Sequence, residues 1–291
     1  MKDAYLDRLI DLALDEDLGS AGDVTTQALV PPKAQGAAEL WAKEPMVLSG
    51  LGAFVRTFER VDERVSVKLL KPDGARTTKK ERVATLDGPL GALLIGERTA
   101  LNIVQRMCGI ATAAAAVVAL VDKVPGARLR VLDTRKTPPG MRALAKQAVR
   151  DGGASNHRFG LFDGVLIKDN HIAAVGGSVR EALRRAKAHA PRLVKIEIEV
   201  TTLDELDEAI DEGAHIVLLD NMTDTQLAQA VSRCRKAGVE VEVSGGITPE
   251  RIPKLIDLDV NYVSMGALTH SARAMDLSLE ILPARRPGRR S

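Results

Sequence analysis

The strongest constraint on the fold is a repeat in the second half of the chain, where short apolar, β-branched runs alternate with helical stretches. Six such runs follow residue 127, at residues 129–132, 164–167, 193–198, 216–219, 239–243 and 260–265. Parallel strands joined by crossover helices produce this rhythm. Ser178, Thr202 and Thr223 each precede a helical stretch, and Thr248-Pro249 opens the last one, as expected of helix N-termini. The sequence therefore predicts an α/β unit.

A polar or glycine-containing segment follows every one of these runs. The segments are residues 133–136, 168–171, 199, 220–221, 244–246 and 264–267. A (β/α) barrel gathers the C-terminal ends of all its strands around one mouth, whereas a doubly wound sheet concentrates function at one switch point. The distribution favours the barrel.

The first part of the chain has a different pattern. A helix is expected near residues 3–17, short strands near 37–41, 46–48 and 65–70, and a long helix over 98–121. We therefore expect an N-terminal α+β domain over residues 1–112 and the barrel over 113–271. Residues 272–291 either pack back on the first domain or form a flexible basic tail, since residues 285–290 hold four arginines.

Composition excludes several classes of function. Among 291 residues, 41 Lys and Arg oppose 39 Asp and Glu, and only 2% are aromatic, so we expect no nucleic-acid partner. The longest apolar run, residues 110–121, is shorter than the ~20 residues of a membrane helix, and we expect no membrane partner. Cys108 and Cys234 are far apart in sequence and indicate neither a disulfide framework nor a structural zinc site. The acidic N-terminal segment does not resemble a signal peptide. We expect a cytoplasmic protein.

Basic side chains are concentrated after the first two strands of the predicted barrel. They are Arg135, Lys136, His157, Arg158 and Lys168. Guanidinium groups bind carboxylates and phosphates in a bidentate manner, whereas lysine acts as a mobile point charge. A mixed set in a nearly neutral protein predicts a ligand with more than one anionic group.

Glycines follow the last two strands, at Ser244-Gly245-Gly246 and Gly266-Ala267. Barrels often bind phosphate here with backbone N–H groups, and glycine lets the backbone approach an anion closely. Glu199 and Asp220 are acidic in an otherwise cationic mouth. They would bind Mg²⁺ or ribose hydroxyls, or they would balance the charge of Lys136 or Lys168. Together these groups predict a site where a phosphorylated sugar meets an organic acid.

The same segments resemble those of the quinolinate phosphoribosyltransferase family. The resemblance runs nearly end to end, and its most specific strings are Asp-Thr-Arg-Lys-Thr at residues 133–137 and Ile-Lys-Asp-Asn-His at residues 167–171. It implies an incomplete α/β barrel with an N-terminal open-faced sandwich. It also implies phosphoribosyl transfer from phosphoribosyl pyrophosphate to quinolinate with decarboxylation, which gives nicotinate mononucleotide for NAD biosynthesis, with Mg²⁺ as cofactor.

The resemblance also implies a role for each matching residue. In a homodimer, Arg98 would reach the neighbouring subunit's site. Arg135, His157 and Arg158 would hold the quinolinate carboxylates, with Lys136 and Lys168 between the two substrates. Glu199 and Asp220 would hold ribose hydroxyls, directly or through Mg²⁺. The 5′-phosphate would lie on Ser244, Gly245, Gly246, Gly266 and Ala267. His171 and His270 match family motifs too, as substrate contacts or as structural hydrogen-bonding residues.

Four residues depart from the family pattern, namely Pro138, Ala145, Gln147 and Ala154. None removes one of the residues assigned to a substrate. Three other functions remain as alternatives. They are a related phosphoribosyltransferase-like group associated with molybdenum transport, a Schiff-base aldolase using Lys168, and a barrel that senses phosphate without turnover.

Overall fold

The computed structural model describes residues 3–282. The predicted basic tail at residues 285–290 lies outside the described residues. The described chain forms two compact units. One contains residues up to Ala114, Pro138–Gly153 and the segment from Ala272 onward, and the other contains Ala115–Thr137 and Ala154–Ser271.

The strands of the first unit are β1 (Gln35–Ala42), β2 (Met46–Val47), β3 (Ser66–Leu69), β4 (Arg76–Thr77), β5 (Glu81–Pro89) and the C-terminal β12 (Leu277–Ile281). Four of them form an antiparallel sheet with strand order β12-β1-β5-β3, and β2 pairs with β4 in a separate two-stranded sheet. Its helices are α1 (Asp3–Leu18), α2 (Val24–Leu29), α3 (Leu51–Val61), the start of α4 (Leu90–Asp122) and α5 (Arg142–Asp151). Inward residues of the sheet pack with α3 and α4 in one hydrophobic core, so the sheet has helices against one face.

Helix α4, with 33 residues, is the longest helix of the described chain. By length and composition alone it could cross a membrane, but 56% of its most apolar window is buried, as in a core helix. It also starts eight residues earlier than the predicted 98. Gly91 and Gly96 weaken the helical signal there. A Cβ on Gly96 would lie 2.7 Å from the Phe58 ring, so close packing explains that glycine.

The segment Pro138–Gly153 differs from the predicted division, which placed it in the barrel domain. Contacts assign it to the first unit. Ser49 donates a hydrogen bond to Asp151 at 2.6 Å, and the Gln147 amide donates to Asp73 at 3.3 Å. Gln147, one of the departures from the family pattern, therefore has a structural contact of its own.

The second unit is a six-stranded, all-parallel sheet with strand order β6-β11-β10-β9-β8-β7. The strands are β6 (Arg130–Leu132), β7 (Val165–Ile167), β8 (Ile196–Val200), β9 (Ile216–Asp220), β10 (Glu240–Ser244) and β11 (Tyr262–Ser264). The helices are α6 (Asp169–Ala174), α7 (Val179–His189), α8 (Leu203–Asp211), α9 (Asp224–Ala237), a 3₁₀ turn (Pro249–Arg251), α10 (Ile252–Asp257) and α11 (Ala267–His270). The predicted incomplete barrel is confirmed.

Local sequence signals explain most of these boundaries. The side chains of Ser178, Thr202 and Thr223 cap their helices by accepting a backbone N–H three residues on. The expected strand start at residue 193 was wrong, because β8 begins at Ile196. Leu193 is 95% exposed, and the N–H of Val194 turns back to donate to the Pro191 carbonyl.

Candidate active site

A cavity of about 160 Å³ opens among residues at the C-terminal ends of the barrel strands. Its lining consists of Thr134, Arg135, Lys136, His157, Arg158, Leu166, Lys168, Leu218, Glu242, Ser244 and Ser264. We call it the mouth cavity. It contains all five basic residues that the sequence places after the first two strands. The predicted Glu199, Asp220, Gly245, Gly246, Gly266 and Ala267 are not in its lining but lie at the ends of β8, β9, β10 and β11.

Buried hydrogen bonds hold the basic segments in place. Asp133 is fully buried, and its carboxylate accepts from the Asn156 amide and from the His157 N–H, both at 2.8 Å. The buried Thr269 hydroxyl donates to the Lys136 carbonyl at 2.8 Å. These bonds tie the segment after β6 to the His157 segment and to α11. The basic side chains therefore start from a fixed backbone.

The mouth cavity is strongly cationic. Burial and the nearby Arg135 charge lower the pKa of Arg158 from its ordinary value, and the charges of Glu197 and Asp163 act in the opposite direction. Two guanidinium groups this close repel each other in a partly desolvated site. An anion placed between them would relieve that repulsion, which is the condition for a carboxylate or phosphate site.

Lys168 is held from two directions. Its ammonium group forms an ion pair with Glu199 at the end of β8. Its backbone N–H donates to the Nδ1 atom of His171 at 2.9 Å, which completes a cap at the start of α6. His171 thus has a structural hydrogen bond.

Glu199 and Asp220 lie on neighbouring strands and face the same side of the sheet. Glu199 is in register with Leu218, which lines the mouth cavity, and Asp220 follows Leu218 by two residues. Residues two apart in a strand share a face. Mg²⁺ in phosphate sites is commonly held by one or two carboxylates together with substrate oxygens. The donor chemistry and placement of this pair therefore fit Mg²⁺ bound with a substrate.

The glycine segments meet neighbouring loops closely. Gly245 has φ +86°, and a Cβ there would lie 2.3 Å from Asn221 Oδ1. A Cβ on Gly266 would lie 2.8 Å from Lys136 Cδ. Among the described residues, the N–H groups of Gly245 and Gly246 donate to no protein acceptor. These two N–H groups are therefore available to a ligand, and the phosphate site at these glycines stays a prediction.

Beneath the mouth lies a buried cluster that sequence reasoning missed. The Nε2 atom of His157 lies 3.1 Å from Glu197 Oε2 and 3.5 Å from Glu242 Oε2. These three side chains bring one nitrogen and two carboxylate oxygens within 4.8 Å of one another, close enough to share a cation or a proton. Burial and the charge of Glu197 raise the pKa of Glu242 to about 8. The sequence signal for this cluster is an acidic residue inside an otherwise apolar strand, Glu197 in β8 and Glu242 in β10.

Arg98 belongs to the first unit. It is exposed on α4 and lines a cavity of about 310 Å³ in that unit. Glu16, Asp17, Thr99 and Asn102 line the same cavity. The guanidinium is therefore available to a ligand or to another subunit.

Comparison with known proteins agrees with this geometry. Models of the quinolinate phosphoribosyl transferase N-terminal and C-terminal domains match residues 23–108 and 110–280. A probable nicotinate-nucleotide pyrophosphorylase (carboxylating) of Bacillus subtilis is 41% identical over 97% of this chain and 95% of its own. The Homo sapiens nicotinate-nucleotide pyrophosphorylase (carboxylating) is 40% identical, covering 94% of this chain and 90% of its own. The structure of the nicotinate-nucleotide pyrophosphorylase from Francisella tularensis superimposes with a TM-score of 0.89 at 36% identity, over 97% of this chain and 98% of that one. The chain belongs to the quinolinate phosphoribosyl transferase family.

Proposed function

We propose that this protein transfers the phosphoribosyl group of phosphoribosyl pyrophosphate to quinolinate, with decarboxylation, in NAD biosynthesis. The products are nicotinate mononucleotide, pyrophosphate and CO₂. The observation that carries the proposal is the mouth cavity, where Arg135, Lys136, Arg158 and Lys168 converge at the strand ends of a barrel of this family. A dicarboxylate and a phosphorylated sugar together supply the anionic groups that these cations require.

Quinolinate would bind with its carboxylates toward Arg135 and Arg158, in the segment that also contains His157. Lys136 and Lys168 would lie between quinolinate and the sugar. The ammonium group of Lys168, already paired with Glu199, is then close to the bonds that change. Electrostatic placement of this kind lowers a barrier when charge develops in the transition state.

The sugar side would use the remaining strand ends. Glu199 and Asp220 would hold ribose hydroxyls, directly or through Mg²⁺. When bound, Mg²⁺ would neutralise the charge of the departing pyrophosphate. Ser244, Gly245 and Gly246, with Gly266 and Ala267, would hold the 5′-phosphate through backbone N–H groups.

The chemistry needs no protein nucleophile. The quinolinate nitrogen forms a bond to ribose C1 while the bond from C1 to the pyrophosphate oxygen breaks, through an oxocarbenium-like state that the nearby carboxylates stabilise. The bond between C2 and its carboxylate then breaks to release CO₂. Its electron pair stays on C2, next to the cationic ring nitrogen, until a proton replaces CO₂. The chain therefore acts by holding two anionic substrates in line.

Mg²⁺-dependent turnover is the direct test. With quinolinate labelled in the carboxyl group on C2, phosphoribosyl pyrophosphate and Mg²⁺, we expect labelled CO₂ and pyrophosphate in equal amounts. Chelation with EDTA should abolish release and added Mg²⁺ should restore it. Absence of CO₂ with both substrates present would contradict the proposal. Borohydride trapping of a carbonyl substrate on Lys168 would instead support an aldolase.

We further propose a homodimer in which Arg98 completes the neighbouring subunit's site, and a cytoplasmic location. The exposure of Arg98 supports the first. The second is supported by two buried free thiols, whose pKa values burial raises to about 12 for Cys108 and about 11 for Cys234. An Arg98→Ala protein mixed with an Arg158→Ala protein should regain activity, because some hybrid dimers hold one intact site. A mixture as inactive as its components would place Arg98 outside the neighbour's site.

A further inference from the structure

The last step of the proposed reaction needs a proton at C2, where CO₂ leaves. With both substrates bound, the mouth would be closed to bulk water, so an acid in the cavity wall is the best-placed donor. Lys136 and Lys168 would lie between the substrates as ammonium groups. Loss of a proton from either would remove positive charge that the departing pyrophosphate needs. A neutral acid is the donor that leaves this charge unchanged.

Glu242 is a buried acid in the wall of the mouth cavity. Its side chain lines that cavity, and the residue is only 2% exposed. The Ser264 hydroxyl, which lines the same cavity, forms a hydrogen bond with the Glu242 carboxyl group. The Oε1 atom of Glu242 has no hydrogen-bond partner among the described residues. A buried oxygen without a partner is less costly in a neutral carboxyl group than in a charged one.

A hydrogen bond between two carboxyl groups places a proton at this position. Glu242 and Glu197 are joined by such a bond, and a carboxylate oxygen can only accept, so one of the two must be protonated. The exposed fraction of the side chain is 8% for Glu197 and 3% for Glu242, and deeper burial favours the neutral form. Burial and the charge of Glu197 raise the pKa of Glu242 to about 8. Glu242 therefore carries the proton at neutral pH.

A second cavity, of about 220 Å³, meets Glu242 from the side away from the mouth. The lining residues that it shares with the mouth cavity are His157, Arg158 and Glu242. Its far end is lined by Lys195 and Tyr262, at the N-terminal ends of β8 and β11. The Lys195 side chain is 61% exposed, so this end reaches solvent. Glu242 thus has a route to solvent that substrates in the mouth would not block.

We propose that Glu242 is the catalytic acid of the decarboxylation: it donates its proton to C2 after CO₂ leaves and regains one through the second cavity. The proposal rests on the proposed function for the identity of the substrates. The bond from C2 to its carboxylate breaks, and the electron pair that stays on C2 forms a bond to the proton of Glu242. Glu242 is left as a carboxylate, and a proton from solvent restores the acid.

The other two residues between the cavities are less suited to this step. The Arg158 guanidinium does not release a proton near neutral pH. His157 is assigned by family resemblance to a quinolinate carboxylate, which keeps its ring at the carboxylate rather than at C2. Glu242 is the group of the three that is both an acid and unassigned to a substrate charge.

Single-turnover kinetics of Glu242→Gln separate the two halves of the reaction. The side-chain amide fills the same space but has no acidic proton. With quinolinate labelled in the carboxyl group on C2, release of pyrophosphate should stay within about threefold of the wild-type rate, whereas release of labelled CO₂ should slow about a hundredfold or more. The carboxylated mononucleotide should accumulate. An equal loss in both steps, or CO₂ release at the wild-type rate, would overturn the proposal.

The pH dependence of the wild-type protein gives a second test, which does not depend on how the variant folds. The groups that face Glu242 are Glu197 from β8, His157 from the segment before β7, Ser264 from β11 and the apolar Leu218 from β9, with the cations of the mouth cavity above them. A general acid acts only while it is protonated. Single-turnover CO₂ release should therefore fall about tenfold per pH unit above about pH 8, while pyrophosphate release does not follow it.

Two results of this second test would overturn the proposal. One is CO₂ release that stays constant from pH 7 to about pH 10. The other is a fall that persists in Glu242→Gln, since it would assign the proton to another group, such as His157.

Glu208→Gln is the matched control, because it makes the same chemical change on an α8 side chain that is 42% exposed. It should leave both steps unchanged, and a slowing of CO₂ release equal to that in Glu242→Gln would overturn a specific role for Glu242. If the wild-type protein releases no CO₂ with both substrates present, the proposed function fails, and the role of Glu242 with it. If the wild-type protein releases CO₂ and Glu242→Gln matches it, only the role of Glu242 fails.

Discussion

Replacing Glu242 with Gln should change how stability depends on pH. Glu242 is 2% exposed, and burial together with the charge of Glu197 raises its pKa from 4.5 to about 8. Between these values the folded protein keeps a proton that the unfolded chain has released. The contribution of this group to stability is therefore complete below pH 4.5 and is lost as the pH rises to about 8.

The size of the effect follows from the same values. Stability falls by about 1.4 kcal/mol per pH unit while only the folded state binds the proton. The slope becomes smaller near pH 8, because the folded protein also begins to release the proton there. The free energy of unfolding of the wild-type protein should therefore fall by about 2 kcal/mol between pH 6 and pH 8 relative to a variant without this titration. Glu242→Gln is that variant, because an amide has nearly the shape of the protonated carboxyl and no charge.

Urea unfolding of both proteins, followed by circular dichroism from pH 5.5 to 8.5, measures the difference. The free energy of unfolding of the variant minus that of the wild type should rise by about 2 kcal/mol from pH 6 to pH 8. Asp257→Asn, which changes an exposed carboxylate in the same unit, serves as the control and should run parallel to the wild type. A flat difference for Glu242→Gln over this range would refute the reasoning, since it would mean that Glu242 is ionised throughout.

Three further predictions concern packing and the site. Gly109→Ala places a Cβ 1.8 Å from the Arg273 carbonyl oxygen. This clash should reduce the free energy of unfolding by about 3 kcal/mol and lower the melting temperature. In the control Gly52→Ala, where a Cβ would have nothing within 4 Å, the melting temperature should stay the same or rise. Gly245→Ala adds backbone strain at a positive φ and a clash with Asn221. In steady-state assays, KM for phosphoribosyl pyrophosphate should rise about tenfold or more. The control Gly176→Ala, at φ +84° in open space, should leave that KM unchanged. Asp133→Asn weakens two buried bonds and should cost about 2 kcal/mol in urea unfolding together with a higher KM for quinolinate; an unchanged KM would show that Asp133 does not position the His157 segment.

Much of the fold could be predicted because local signals and tertiary packing agree. The caps at Ser178, Thr202 and Thr223 and the apolar alternation of the strands place the barrel elements within a few residues. The start of α4 was missed because Gly96, a poor helix former, is there to fit against Phe58. The start of β8 was misplaced because the apolar Leu193 lies in an exposed turn, and hydrophobicity alone does not distinguish a turn from a strand.

Some residues of the candidate site could likewise be predicted from the sequence, and others could not. Arg135, Lys136 and Lys168 could be found because a charged residue shortly after a strand indicates the mouth of a barrel, whereas Arg158 lies between α5 and β7 and does not carry that signal. Glu197 and Glu242 could not be assigned in this way, since an isolated acid inside a strand is more often exposed on the outer face. Only the register of β8, β9 and β10 shows that both face inward.

The position of these two acids explains how a barrel can hold so many cations before a substrate binds. Glu197 precedes Glu199 by two residues on β8, and Glu242 precedes Ser244 by two on β10. Each therefore faces the same interior as the residue at the strand end, one layer deeper. The charge of Glu197 in that layer attracts Arg158 without occupying the mouth, as its opposing effect on the pKa of Arg158 shows. Glu242, whose pKa is raised to about 8, keeps its proton at lower pH and adds no charge there. If both acids were at the strand ends, they would neutralise the cations at the position that an anionic substrate must take. If Glu197 were absent, the repulsion between Arg135 and Arg158 would be opposed by Asp163 but no longer from the deeper layer. Glu197 thus balances charge while it leaves the cations open to the substrate.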